Sequence, residues 1–163
     1  MGGSTPRIQI RTGFSLARNF GRRLALVVTL ALLLASADVY VKSRMPVDDF
    51  FLHERSSAWF ALCVGLVGAL LLLARVPSWL VAVASATLAG GVLGNLVSAW
   101  AGGGFVPNVF VWDQAAIAFN LADVFILAGI ALEMVALSLA AVRFRDVLPE
   151  ATVAARVARR LRR

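Results

Sequence analysis

The 163-residue chain is 60% hydrophobic and 15% charged, with a mean hydropathy of +0.83. A soluble domain is typically about half apolar and about a quarter charged, so the composition excludes that class, and it also excludes a disordered chain. The net charge of +7 comes from 16 basic and 9 acidic residues. Most of the bases lie in two terminal blocks beside long apolar runs, a pattern that favours a membrane protein over a nucleic-acid-binding one.

Four apolar segments are long enough to cross a bilayer, for which a helix needs about 20 residues. They lie at residues 24–41, 58–74, 79–97 and 121–142. No pattern of short alternating strands is visible. The sequence therefore predicts an all-α membrane protein with four transmembrane helices and a small loop region at the outer face. Its three parts are a basic N-terminal segment, a membrane domain and a basic tail, at residues 1–23, 24–142 and 143–163.

The first span also resembles a secretory signal, because its apolar run ends in the small residues Ala35-Ser36-Ala37. Cleavage there would remove an apolar stretch that can itself span the membrane and that ends at Asp38. Since three further spans follow, we expect the first helix to be retained.

The arginines predict the orientation of the spans. Five arginines precede residue 24, Arg75 follows the second span, and seven arginines follow residue 142. These three segments fall on one side of a four-span topology, and the positive-inside rule assigns that side to the cytoplasm. Both termini are therefore predicted to be cytoplasmic, with the loops at residues 42–57 and 98–120 on the outer face.

The basic tail allows two interpretations. Val153, Val157 and Leu161 have helical spacing, with arginines on the other faces, which is typical of a helix lying on an anionic leaflet. A solvated basic segment that only fixes the topology explains the same residues.

Polar residues near the outer ends of three spans are the candidate functional residues. They are Asp38, Asn95, Asn120 and Asp123, and ionisable groups in membrane segments are rare and commonly functional. Each also has a simpler explanation. Asn120 fits an N-cap, Asp123 fits a charge at a helix start, and Asp38 can pair with Lys42 four residues later. Because all of them lie at one depth, we expect a common site.

The remaining reactive residues are few. Glu133 lies about ten residues into the fourth span, roughly 15 Å below Asp123, where it is protonated, pairs with another chain or faces a polar crevice. The single cysteine, Cys63, excludes an internal disulfide, and the single histidine, His53, argues against a zinc hydrolase. No metal, cofactor or nucleotide site is predicted.

Three sequence blocks resemble the signature blocks of signal peptidase II, the lipoprotein signal peptidase. They are Asp38–Lys42, Gly90–Asn95 and Phe119–Asp123, and the similarity covers roughly residues 24–142. The resemblance implies a four-helix protein of the bacterial cytoplasmic membrane with both termini in the cytoplasm, in agreement with the arginine distribution.

In that family two outer-face aspartates form an aspartyl-protease dyad, which removes the signal peptide from diacylglyceryl-modified prolipoproteins. The resemblance implies that Asp123 is one of the two, whereas the position of the other is occupied by Asn108. It also implies that Asn95 and Asn120 position the substrate and the dyad, and that Asp38 has a structural or substrate-binding role.

Two further departures concern substrate binding. The family has Asp-Arg where this chain has Ser98-Ala99, so the arginine that helps to bind the lipid-modified substrate is absent. The family's block with Asn and Gly is replaced by Arg55–Trp59. A dyad works because two carboxylates share one proton. An asparagine cannot transfer that proton, and general acid–base catalysis typically contributes about 10²- to 10⁴-fold.

Three functions are compatible with these residues. The first is a signal peptidase II homologue with little or no activity that keeps a groove for lipid or a transmembrane segment. The second is an active peptidase that pairs Asp123 with Asp113, the other carboxylate of the outer loop. The third is a non-enzymatic subunit of a membrane complex, with Glu133 and the tail as contacts. The expected partners are membrane lipids and either lipidated prolipoprotein signal peptides or another membrane protein, and no nucleic acid.

Overall fold

The structure is a computed structural model that describes residues 10–47 and 51–143. The described chain forms four α-helices: α1 (Ile10–Arg44), α2 (Ser57–Leu73), α3 (Trp79–Ala101) and α4 (Leu121–Arg143). Each helix contains one of the four predicted apolar segments, so the prediction of a four-helix protein is confirmed. The helix α1 begins well before its apolar segment and continues without a break through Ala35–Ala37.

Three of the helices are long and apolar enough to cross a membrane: α1 from Asn19 onward, α3 and α4. The helix α2 is equally apolar but has 17 residues, which correspond to about 25 Å of helix. That length is slightly less than the roughly 30 Å thickness of a bilayer core.

The N-termini of α2 and α3 are each capped by a serine. Ser56 precedes α2 and its hydroxyl oxygen accepts the N–H of Trp59 at 3.3 Å. Ser78 precedes α3 and accepts the N–H of Val81 at 3.4 Å in the same way. These serines satisfy N–H groups that have no partner inside the helix, so the tight turn between α2 and α3 is encoded locally.

The helix α3 lies at the centre of the bundle. In its most apolar 18-residue window 67% of the residues are buried, against 22% in α1 and 22% in α4. Small residues allow this close packing. A Cβ atom on Gly91 would lie 2.5 Å from the carbonyl oxygen of Ala122, and one on Gly129 would lie 2.5 Å from the amide nitrogen of Leu88. The contacts between α3 and α4 are therefore backbone to backbone.

The α1–α2 and α3–α4 loops contain four short strands that the sequence analysis does not predict: β1 (Leu52–Glu54), β2 (Phe105–Pro107), β3 (Phe110–Trp112) and β4 (Ile117–Phe119). They form two antiparallel pairs, in which Leu52 lies opposite Pro107 and Trp112 opposite Ile117. The expectation of a purely helical chain is corrected accordingly. Strands of three residues are too short to produce a recognisable alternation of apolar and polar residues.

One arginine of the N-terminal block also has a structural role. Arg23 is buried, and its Nε donates a hydrogen bond to the carbonyl oxygen of Ala74 at 2.9 Å. This carbonyl lies at the end of α2, where the last carbonyls of a helix lack internal partners. Arg23 therefore fixes α1 against the end of α2.

The two ends of the chain, residues 1–9 and 144–163, lie outside the described residues. Both interpretations of the basic tail therefore stay predictions, as does the cytoplasmic location of the termini.

The glycine contacts predict a sharp difference between two Gly→Ala substitutions. Gly129→Ala should lower the free energy of unfolding by about 1–3 kcal/mol, because the methyl group meets backbone atoms that cannot move aside. Gly65→Ala is the control, because nothing lies within 4 Å of its Cβ position and alanine favours a helix by up to about 1 kcal/mol. Thermal unfolding of the purified variants in detergent measures both, and equal stabilities would contradict the described packing of α4 on α3.

Candidate functional site

Most of the predicted site residues converge at the end of the bundle where α1 and α3 finish and α4 begins. We call this group the polar cluster. It comprises Asp38 and Lys42 of α1, Asn95 and Ser98 of α3, Asn108 between β2 and β3, and Asn120 and Asp123 at the start of α4. All seven are linked by one chain of hydrogen bonds.

Lys42 lies at the centre of the polar cluster. Its ammonium group donates to Asp38 Oδ2 at 2.7 Å, to Asn95 Oδ1 at 2.8 Å and to Ser98 Oγ at 3.3 Å. These three acceptors use all three hydrogens of the ammonium group. Lys42 and Asp38 are both buried and form the only ion pair among the described residues. The pair predicted from the i, i+4 spacing is therefore present, and it binds α1 to α3.

The second oxygen of Asp38 extends the link to a third helix. Its Oδ1 accepts the backbone N–H of Ala122 at 2.8 Å, in the first turn of α4. Gly94 makes room for this carboxylate, because a Cβ atom there would lie 2.8 Å from Asp38 Oδ2. Asp38 thus joins α1, α3 and α4 through one carboxylate with both oxygens engaged.

The start of α4 is a capping box. Asn120 Oδ1 accepts the N–H of Asp123 at 3.1 Å, and Asp123 Oδ2 accepts the N–H of Asn120 at 3.1 Å. The capping roles expected from the sequence are therefore present, and they coexist with membership of the polar cluster. Asp123 Oδ1 accepts the amide Nδ2 of Asn95 at 2.9 Å, so both oxygens of this carboxylate are engaged as well.

Asn108 is connected to Asp123 indirectly, through hydrogen bonds made by Asn120. Its Oδ1 accepts Nδ2 of Asn120 at 2.8 Å, and its own Nδ2 donates to the carbonyl oxygen of Ala118 at 2.9 Å. The side chain is buried, so both ends of the carboxamide are fixed. The bond to Ala118 requires a donor, so an aspartate at this position keeps that bond only when it is protonated.

Asp113 is not part of the polar cluster. It lies on the exposed turn of the β3–β4 hairpin, beyond the pair Trp112 and Ile117. Asn120 follows Ile117 by three residue steps along β4, a distance of about 10 Å at about 3.3 Å per residue. Within the part of the chain that the structure describes, no hydrogen bond or ion pair connects Asp113 with Asp123.

Glu133, Cys63 and His53 also lie away from the polar cluster. Glu133 is buried between α3 and α4, where its Oε2 accepts Ser85 Oγ at 3.1 Å and its Oε1 has no partner. Its burial inside the chain leaves little of it available to a second protein. Cys63 is a buried free thiol, and His53 is exposed. Among residues 10–47 and 51–143, no group of three or more His, Cys, Asp or Glu side chains is placed to hold a metal ion.

A cavity of about 430 Å³ opens beside the polar cluster. Lys42 and Ser98 contribute polar atoms to its wall, and the remaining lining is mostly apolar. A second cavity of about 250 Å³ reaches Asn108. An apolar wall with a few polar groups is the usual lining of a ligand site, so the cavity beside Lys42 and Ser98 suits an apolar chain with one polar end.

Sequence analysis missed two members of this arrangement. Ser98 was considered only as a departure from a family block, although it lies three residues after Asn95 and so shares its face of the helix. The backbone N–H of Ala122 carries no signal in the sequence, because its role arises only when α4 meets α1.

Comparison with known proteins supports the fold class. No protein-family model matches the chain, and no curated protein matches it. The chain is similar to a solved structure of a bacterial membrane enzyme, with 19% sequence identity, 78% of this chain and 93% of that chain covered, and a TM-score of 0.50. A second structure of a bacterial membrane enzyme has 20% identity, coverage of 72% and 92%, and a TM-score of 0.47. The chain thus has the fold of a membrane enzyme, and this degree of similarity shows the fold alone.

The buried ion pair predicts a large effect of one substitution. Lys42→Met should lower the free energy of unfolding by about 3–5 kcal/mol, because it leaves the Asp38 carboxylate buried without its cation. The double variant Lys42→Met/Asp38→Asn should be more stable than Lys42→Met alone, since it removes the stranded charge. Arg44→Met, at the exposed end of the same helix, should change stability by about 0.5 kcal/mol or less. Unfolding in detergent measures all three, and a Lys42→Met variant as stable as the parent would contradict the burial of the pair.

Proposed function

We propose that this chain is a signal-peptidase-II-like membrane protein that has lost, or nearly lost, peptidase activity and keeps a binding site for lipid or a transmembrane segment. The observation that supports this best is the identity of the side chain that is linked to Asp123 through Asn120. The side chain that the β2–β3 loop supplies there is the carboxamide of Asn108, held through Asn120. Where the resemblance implies a second carboxylate, the chain has a neutral amide.

The surrounding hydrogen bonds explain why no other group takes over the acid role. Asp38 is the nearest alternative carboxylate in the polar cluster, but it is paired with Lys42 and accepts the N–H of Ala122. Both of its oxygens therefore take part in contacts that hold the helix ends together. Asp113 lies at the far end of the hairpin. Asp123 is therefore without an acid partner, and hydrolysis by two carboxylates is not supported.

The substrate-binding side of the site is altered as well. The position of the family arginine is occupied by Ala99, which is fully buried in α3. The cavity beside Lys42 and Ser98 remains, with mostly apolar walls. Such a cavity suits an acyl chain or an apolar segment better than a strongly charged substrate. The membrane-enzyme fold supports this proposal, whereas the assignment to signal peptidase II rests on the three sequence blocks.

We further propose that the protein resides in the bacterial cytoplasmic membrane with both termini in the cytoplasm. The support is the distribution of arginines, most of which lie in segments at or next to one end of the helices. The polar cluster and the strands lie together at the other end.

Single-cysteine labelling tests this orientation. In a Cys63→Ala background, Gln114→Cys on the hairpin turn should react with a membrane-impermeant maleimide in intact spheroplasts. Arg75→Cys in the turn between α2 and α3 should react only after lysis. Both positions are exposed on the protein surface, so a difference in labelling reports the side of the membrane and not burial in the protein. The reverse labelling pattern would overturn the proposed orientation.

The missing acid predicts a gain of activity. Asn108→Asp should raise the rate of cleavage of a diacylglyceryl-modified prolipoprotein by about 10²-fold or more over the unmodified chain, because it restores a second carboxyl group near Asp123. The assay is mass-spectrometric detection of the released signal peptide with purified protein in detergent. An arginine at position 99 is not added, because Ala99 is fully buried and the larger side chain would disturb α3.

Two controls make the result interpretable. The double variant Asn108→Asp/Asp123→Asn should return to the background rate, and a failure of Asn108→Asp to raise the rate would contradict the assigned position of the missing acid. Efficient cleavage by the unmodified chain that is lost in Asp123→Asn would refute the proposed impairment. If Asp113→Asn also abolished that cleavage, the active pairing of Asp123 with Asp113 would be established instead.

A further inference from the structure

Arg55 has an arrangement that the polar cluster does not explain. Its guanidinium carbon lies 5.1 Å from the centre of the Trp59 ring, and its Nε is buried without a hydrogen-bond partner. No carboxylate pairs with it among the described residues. The side chain is only partly buried, so an anion can reach the Nη end of the guanidinium and compensate a charge that has no partner within the described structure.

The other buried cations of the described chain are satisfied internally. Lys42 has three acceptors, and Nε of Arg23 donates to the carbonyl oxygen of Ala74. Arg55 differs from both, because its guanidinium makes no hydrogen bond inside the described structure. A cation that is held in place without an internal partner favours the binding of an external anion.

The backbone and the aromatic ring hold Arg55 in position. Its N–H donates to the carbonyl oxygen of Gly104 at 2.8 Å, and the N–H of Gly104 donates to the carbonyl oxygen of Ala99 at 2.7 Å. The guanidinium carbon lies within the range in which a cation is attracted to the Trp59 ring. A guanidinium held in this way can direct two N–H donors at one phosphate, which is the bidentate geometry that arginine favours.

The surface next to Arg55 identifies the source of the phosphate. Arg55 directly precedes the cap of α2, and Trp59 lies in the first turn of that helix. Leu62, three residues further along the same face, is 71% exposed. Cation, aromatic ring and exposed leucine thus follow one another from the helix end towards the middle of the bilayer. This order matches the headgroup, the interface and the acyl chain of a phospholipid.

We propose that Arg55 and Trp59 form a binding site for the phosphate of a membrane phospholipid, with Leu62 covered by its acyl chains. The two Nη groups form the accessible end of the partly buried side chain and each donate to one phosphate oxygen, and no covalent step is involved. The site is separate from the polar cluster and does not depend on whether Asp123 has catalytic activity.

Thermal unfolding of the full chain in a phosphate-free maltoside detergent tests this site. Dioctanoyl phosphatidylglycerol, at about ten times its Kd, should raise the Tm of the unmodified chain by about 3–6 °C. Arg55→Gln should abolish the rise, and Arg55→Lys should reduce it, because an ammonium group cannot make the two parallel bonds. Arg75→Gln, at the exposed opposite end of α2, is the matched control and should retain the full rise.

Two further ligands separate the contributions of phosphate and acyl chain. Dioctanoylglycerol lacks the phosphate and should leave the Tm unchanged, and inorganic phosphate at the same concentration should also have no effect. An equal rise with dioctanoylglycerol, or a full rise in Arg55→Gln, would overturn the phosphate site. An equal rise with inorganic phosphate would overturn the assignment to a lipid.

Discussion

The buried pair of Asp38 and Lys42 is the interaction on which the polar-cluster end of this protein depends. Removing two charges from water is costly, and their mutual attraction compensates only when the remaining hydrogen-bonding groups are also satisfied. Here they are satisfied by two further helices. Lys42 donates to Asn95 and Ser98 of α3, and Asp38 accepts the N–H of Ala122 in α4. The pair therefore holds the helix ends together where their apolar contacts end, and it places the start of α4, with Asp123, at a fixed position.

The same network limits what the site can do chemically. A carboxylate that acts as a general base needs a lone pair directed at a substrate or a water molecule, and one that acts as an acid needs a proton to donate. Asp123 gives one oxygen to Asn95 and the other to the capping box, and Asn108 has both ends of its amide engaged. The polar residues that match the family blocks are therefore also residues with structural duties. The shape of the site thus depends on hydrogen bonds that the amide of Asn108 makes with both its oxygen and its nitrogen.

The sequence predicted the parts of this arrangement that depend on local order along the chain. The four apolar segments gave the helices, and the i, i+4 and i, i+3 spacings gave the Asp38–Lys42 pair and the cap formed by Asn120 and Asp123. Contacts between distant segments could not be predicted in this way. The hydrogen bond from Asn120 to Asn108 depends on the path of the β3–β4 hairpin, and its strands are too short to be recognised. Glu133 stayed ambiguous for the same reason, because only the packing of α3 shows that Ser85 faces it.

Two cations near this end of the bundle, Lys42 and Arg55, differ in how their charge is compensated. Lys42 is paired with Asp38, whereas Arg55 has no carboxylate partner among the described residues. A cation that is partly removed from water is unfavourable unless an anion compensates it. The proposed phosphate would supply that anion. Binding of a lipid at Arg55 therefore requires no second carboxylate beside Asp123.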